Sequence, residues 1–218
     1  MTWTGRIDEV VEAKHLLKHD FYRAWTDGEL TLDALRGYAG QYYNHVAAFP
    51  RYLTAIHTQT ADITTRQYLL ENLNDEESGE DNHPELWLRF AEGIGAARDE
   101  VRGADVLDRT RECDATYRHI CGARGPMVGL AALYAYESMV PAVAQSKIDG
   151  LTKHYGVHDE RTLSFFTVHR EVDEWHADVA RDLLAGAPAT ERDDAVAAAD
   201  EAMDALNTLL DGVVEEFC

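Results

Sequence analysis

The sequence predicts an all-α fold in one domain, and three observations carry that prediction. Apolar residues recur at helical spacing along most of the chain, no alternating run of strand character stands out, and Gly- and Pro-containing turn signals divide the periodic segments. With 218 residues and 45% apolar content, the chain can bury a sizeable core as a single unit spanning 1–218. It shows neither an internal repeat nor a low-complexity linker.

The periodicity predicts helices near 7–27, 32–60, 62–78, 84–95, 106–121, 126–139, 141–154, 158–185 and 190–216. The turn "TDGEL" at 26–30 closes the first, and Pro50 inside the second is expected to kink it. Pro84, Pro126 and Pro141 each suit a helix's first turn, where their missing N–H costs nothing. The segments "GARGP" at 122–126 and "GAPAT" at 186–190 separate the later elements. The last helix, with apolar positions on one side and acids on the other, is expected to pack as a lid or flank.

Forty acidic residues against twenty basic ones give a formal charge of −20, which repels nucleic acid and anionic membranes. We therefore expect neither as a partner. Sixteen of the basic residues are Arg and four are Lys, an acid-rich, lysine-poor balance that fits high salt, where self-repulsion is screened. No run approaches the roughly 18 apolar residues of a membrane span, and "MTWTGRIDEV" lacks the flank and core of a signal peptide. Cys113, Cys121 and Cys218 form no CxxC pattern and no even framework, which points to a reduced, cytoplasmic protein.

The stretch "HREVDEWH" places His169, Asp173 and His176 on one helical stripe, continued by Leu163 and Phe166 before it and Ala180 and Leu183 after it. Two imidazoles and a carboxylate on a buried face need partners. Either a metal or a helix-crossing network of salt bridges would supply them. Glu137 falls on the apolar face of "PMVGLAALYAYESMV", and Glu76 continues the stripe of Leu69 and Leu73. Each is either a satisfied core polar group or a ligand. His83 follows Glu76 by seven residues, but Gly79 and Pro84 interrupt the helix, so it would approach the same centre from a helix end. The other acids and histidines, Asp75 and His45 among them, read as ordinary. Three carboxylates and three imidazoles without a thiolate exceed one zinc site and suit two iron or manganese ions inside a bundle.

In the combined pattern of Glu76 and His83 in "EESGEDNH", Glu137 in "YAYESM" and His169, Asp173 and His176 in "HREVDEWH", the chain resembles the haem-oxygenase-like dimetal oxidases. The resemblance spans roughly residues 7 to 185. It is nearest to the branch of the chlamydial protein associating with death domains, with quinone-synthesis protein C and thiaminase II as cousins. It implies a seven-helix haem-oxygenase-like bundle with an Fe/Fe or Fe/Mn pair held by these six residues, using O₂ and an external reductant. The branch implies synthesis of para-aminobenzoate for folate, with one of the protein's own tyrosines as carbon skeleton and a lysine as amino donor. The matching positions are Tyr22 in "HDFYRAW" and Lys147 in "AQSKIDG", with Tyr136 as a further site tyrosine. Relatives can carry another tyrosine where this chain has Phe165 or Phe166. We also expect a homodimer. Read alone, Tyr22 fits a core aromatic far better than a substrate, and Lys147 could equally be a surface lysine.

Two other readings stand beside this one. The first is an oxidase of the quinone-synthesis type or a thiaminase-like enzyme. Thiaminase chemistry needs a nucleophilic cysteine beside the acid, and Cys121 lies sixteen residues before Glu137. The second is a non-enzymatic interaction protein, for which the sequence shows no exposed apolar helix face.

Overall fold

Helix starts follow caps written into the chain. The computed structural model describes residues 2–218 apart from the side chains of 171–174. Thr31, Asp62, Asn82 and Asp159 each accept a hydrogen bond from the backbone N–H three residues on, at 2.8–3.0 Å. They open α3 (Leu32–Gln59), α4 (Ile63–Glu77), α5 (His83–Gly93) and α10 (Glu160–Ala185). Pro84, Pro126 and Pro141 lie in the first turns of α5, α8 (Pro126–Glu137) and α9 (Val140–His154). α7 (Asp108–Ala123) and α11 (Arg192–Phe217) also follow the expected pattern, and no strand occurs among the described residues.

Three expectations are corrected. The single helix expected over 7–27 is α1 (Trp3–Ala13), a 3₁₀ turn (Leu16–Lys18) and α2 (Asp20–Asp27). The cause is two histidine caps: His15 Nδ1 accepts from the Leu17 N–H at 3.2 Å and His19 Nδ1 from the Phe21 N–H at 3.1 Å. An imidazole is not among the usual capping groups, so these restarts had no clear signal. The second correction is α6 (Arg98–Arg102), which is too short to show a period. With it the described chain holds eleven α-helices rather than nine, or the seven that the resemblance implies. Third, the stretch Pro126–His154 is long and apolar enough for a membrane span by composition, although 78% of its most apolar window is buried inside the fold.

α3 runs through Pro50 without ending and packs against α4, α5, α7 and α8. α10 lies across α5, α8 and α9. The alanine-rich face of α11, including Ala195, Ala198, Ala199 and Ala202, is buried on α7, α8 and α1, so this helix is a flank. Among the described residues four large apolar side chains are exposed: Leu32, Ile63, Leu70 and Trp175. Ile63 and Leu70 share a stripe of α4, so the expectation of no exposed apolar face does not hold there.

α2 and α9 meet closely enough to fix Lys147. The indole Nε1 of Trp25 donates to the Lys147 carbonyl at 3.4 Å, and a Cβ at Gly150 would lie 2.5 Å from Trp25 Cδ1. Replacing glycine inside a helix normally gains about 0.5–1 kcal/mol, whereas forcing atoms into a packed core costs about 1–3 kcal/mol. Overpacking wins here because the indole is fully buried. Gly150→Ala should therefore lower the denaturation midpoint, and a raised midpoint would show that the contact can relax.

Candidate metal centre

Four helices bring ionisable side chains into one buried region. Glu76 sits in the last turn of α4, His83 opens α5, Glu137 ends α8, and His169 and His176 lie on α10. All five are buried. Asp173, the sixth expected ligand, lies outside the described residues. One ligand atom each from Glu76, His83 and His169 falls within 4.8 Å of the others. His83 Nδ1 lies 2.8 Å from Glu76 Oε2 but lacks hydrogen-bond alignment. The His83 and His169 rings are 4.3 Å apart between centroids.

Each of the two α10 histidines has one ring nitrogen held by a neighbour. His169 Nδ1 donates to the Phe165 carbonyl at 2.7 Å, since a carbonyl can only accept, and this leaves Nε2 with its lone pair. His176 Nε2 donates to Asp75 Oδ2 at 3.2 Å, leaving Nδ1 as an acceptor without a partner. A metal-binding histidine typically has its second nitrogen held by a carbonyl or carboxylate in this way. Glu137 is oriented similarly. Its Oε1 accepts from Asn72 Nδ2 at 2.7 Å, while Oε2 is buried and unpartnered.

Electrostatics points the same way. Burial, with Glu76 nearby, pushes the Glu137 carboxyl up to about 8 against the pull of Asn72. Burial, with His83 and Lys147 nearby, holds His169 well below the usual imidazole range. Burial also lowers His176, with Asp75 opposing it. At His83 burial is outweighed by the Glu76 carboxylate, and its affinity for a proton rises. Nitrogen and oxygen donors with unpartnered buried atoms fit a cation, which would satisfy them together.

Lys147 is buried, not at the surface. Its Nζ donates to Tyr38 Oη at 2.7 Å and lies 4.9–5.5 Å from the ring centroids of Tyr22, Tyr38, Tyr42, Trp87 and Phe166. No carboxylate reaches it among the described residues, and burial lowers the ammonium to about 7. Tyr22 is likewise buried, its Oη 3.3 Å from Tyr38 Oη. Tyr136 shares a 2.9 Å hydrogen bond with Tyr42. Two small cavities meet here. One of about 20 Å³, near the size of a single water, is lined by Tyr42, Tyr136, Lys147, Phe165, Phe166 and His169 among others. Its neighbour adds Glu76 and Glu137 and shares Tyr136, Phe165 and His169.

The structure thus brings Glu76, His83 and His169 together, with Glu137 on the same cavity, and turns His176 toward Asp75. Tyr136 borders both cavities, and Tyr22 is joined to Lys147 through Tyr38. Sequence reasoning missed Asn72, Asp75, Tyr38, Tyr42 and Trp87. Asn72 lies four residues before Glu76, a helical spacing that could have flagged it. Cys121 is buried, and burial pushes its thiol up to about 12, which is no setting for a nucleophile.

The family described as an iron-containing redox enzyme matches residues 36–208. A 4-aminobenzoate synthase of Nitrosomonas europaea is 42% identical over 100% of this chain and 93% of its own length. That of Chlamydia pneumoniae is 40% identical over 89% and 87%, and a pyrroloquinoline-quinone synthase of Ruegeria pomeroyi is 30% identical over 84% and 77%. Among solved structures, a TenA homologue from Pseudomonas syringae superposes with a TM-score of 0.85 at 14% identity, covering 98% of this chain and 93% of that one. That likeness shows the fold alone.

The caged lysine carries a measurable cost. At about 1.36 kcal/mol per unit of displaced pKa, holding Lys147 near 7 instead of its ordinary 10.5 destabilises the folded state by roughly 3–5 kcal/mol at neutral pH. Lys147→Met should recover about 2–4 kcal/mol, because the volume is kept while the buried polar group goes. Between pH 7 and 10.5 the unfolded lysine holds its proton and the folded one does not. Stability of the native protein should therefore rise relative to the variant across that window. A difference in denaturation free energy that stays constant with pH would refute this.

Proposed function

The chain belongs to the iron-containing redox enzyme family, and from that premise we propose that it makes 4-aminobenzoate from its own Tyr22, with Lys147 as nitrogen donor. Its relatives at 36–42% identity bear the name 4-aminobenzoate synthase. The observation that carries the reading is the caged amine: Lys147 Nζ packs over the Tyr22 ring at 5.5 Å and lines a cavity that adjoins Glu137 and His169. A neutral amine, a phenol and a set of metal donors are the three components that such a synthesis needs.

Glu76, His83, Glu137, Asp173, His169 and His176 would hold two metal ions, Fe/Fe or Fe/Mn. When bound, the pair supplies dioxygen activation, with electrons from an external reductant. The chain's own residues supply placement. Asn72 holds one oxygen of Glu137 and frees the other. The Phe165 carbonyl and Asp75 set the tautomers of His169 and His176. Tyr38 Oη receives the hydrogen bond of Lys147 and fixes the amine against Tyr22. Phe165 and Phe166 line the amine's cavity and keep its wall apolar. With Lys147 near 7, a large fraction of the amine is neutral at physiological pH and able to react. In the same reading the protein works in the cytoplasm as a homodimer, apart from nucleic acid and membranes.

His176→Ala should lower the metal-to-protein ratio measured by elemental analysis; an unchanged ratio removes His176 from the ligand set. Expression with ring-labelled tyrosine, followed by iron or manganese, a reductant and O₂, should yield labelled 4-aminobenzoate. Tyr22→Phe should abolish that product and leave metal binding intact. Labelled product from the phenylalanine variant would assign the carbon skeleton to another tyrosine.

A further inference from the structure

A second aromatic cluster leads away from Tyr136 on the wall of the metal cavity. His45 on α3 is buried, and both of its ring nitrogens lack a hydrogen-bond partner among the described residues. Its ring lies 4.9 Å from that of Tyr136 and 5.2 Å from that of Tyr117, edge-on to both. Tyr117 on α7 stacks on Tyr52 at 5.3 Å and 23°. Tyr52 is fully buried, and its hydroxyl donates to Asp114 Oδ1 at 2.8 Å. Asp114 is paired with Arg118, and both line an open surface groove together with Tyr43 and Arg51. An uninterrupted series of ring contacts therefore joins the metal cavity to solvent.

We propose that Tyr52 and Tyr117, bridged to Tyr136 by His45, form an electron route between the metal cavity and the groove at Asp114. Electron tunnelling falls steeply with distance, and rings in van der Waals contact keep each step short. Proton placement distinguishes this series from ordinary core packing. Oxidising a buried phenol requires its proton to leave, and Tyr52 is the member with a carboxylate acceptor, one that also touches solvent. Burial keeps His45 neutral, its pKa about 4, so no imidazolium opposes passage of a positive hole.

Tyr136, once it has lost an electron and its phenolic proton on the metal side, draws an electron from Tyr52 through Tyr117 and recovers a proton from the side on which it lost one. Tyr52 passes its own proton along the hydrogen bond to Asp114. A small one-electron reductant at the groove then returns an electron to Tyr52, and Asp114 returns the proton. The reductant is oxidised by one electron, and Asp114 ends unchanged. The source of the hole at Tyr136 rests on the dioxygen chemistry proposed above, but the route does not.

The route is testable without that chemistry. A ruthenium polypyridyl photo-oxidant is attached to the full chain at position 51 (Arg51→Cys, with Cys218→Ser and Tyr43→Phe to silence the exposed thiol and the groove's other phenol). Flash excitation with a sacrificial electron acceptor should produce a long-lived phenoxyl radical, seen by transient absorption and electron paramagnetic resonance. Tyr52→Phe should remove the signal. Tyr117→Phe and Tyr136→Phe should remove its long-lived part. Asp114→Asn should slow its appearance, which a purely structural carboxylate would not. Phenylalanine keeps the ring packing, and circular dichroism and melting temperature verify the fold of each variant. A phenoxyl signal in Tyr52→Phe and Tyr117→Phe equal to the parent's overturns the proposal, whatever the enzyme then does with oxygen.

Discussion

The burial of Glu76, His83, Glu137, His169 and His176 in one region is the constraint on which the rest of the site depends. An apolar interior tolerates ionisable groups when each is paired. Here the pairing is half complete by construction. Glu137 has one oxygen on Asn72 and one on nothing, and His176 has one nitrogen on Asp75 and one on nothing. Each partner fixes an orientation and leaves a lone pair behind. The caps serve the same end, since Asn82 and Pro84 begin α5 where His83 faces Glu76. The ion pairs that cross between helices, His83 with Glu76 and His176 with Asp75, leave the Glu137 Oε2 and His176 Nδ1 atoms unused.

A second desolvated charge lies next to the first. Lys147 contributes to holding His169 neutral, and any cation bound at His169 must in turn favour a neutral Lys147. The two centres are therefore coupled through the wall that Tyr136, Phe165 and His169 share. The rings around the lysine offer their negative faces in place of a carboxylate, a cation–π environment that weakens once the amine is neutral. This permits a reactive amine to be held without an anion that would lock in its proton.

Much of this was legible in the sequence. The stripe through His169 and His176, the apolar setting of Glu137 and the helix break before His83 each follow from 3.6-residue spacing and from proline's effect on its neighbour. What could not be read was tertiary. Asp75 and Asn72 are polar residues on a polar-looking helix, and only tertiary packing brings the buried Asn72 onto Glu137 and sets the surface carboxylate of Asp75 against His176. The cage around Lys147 draws on α2, α3, α5 and α10, and no local pattern announces which tyrosines of one helix will meet a lysine on another. The caps by His15 and His19 are a different kind of miss, because an imidazole seldom serves as a helix cap.

Tyr42 shows why the two aromatic clusters belong to one design. Its ring lies 5.2 Å from Tyr38 and 4.9 Å from Lys147 Nζ, 5.5 Å from His45, and its hydroxyl bonds to Tyr136. α3 supplies Tyr38, Tyr42, His45, Phe49 and Tyr52 at helical spacings, so one helix presents rings to the amine, the metal cavity and the surface groove in turn. A bundle that houses strong oxidation needs a wall that resists water, and aromatic side chains provide it with few rotatable bonds. The same rings can hold or pass an unpaired electron, so the choice of wall also decides where oxidising equivalents travel. On the lysine side Tyr22 and Tyr38 hydrogen-bond to each other with no carboxylate in reach among the described residues, and the base beside the phenols is the buried Lys147 amine. On the groove side it is Asp114. The two ends of one continuous aromatic wall thus differ in the base they offer a phenolic proton, a buried amine at one and a solvent-touching carboxylate at the other.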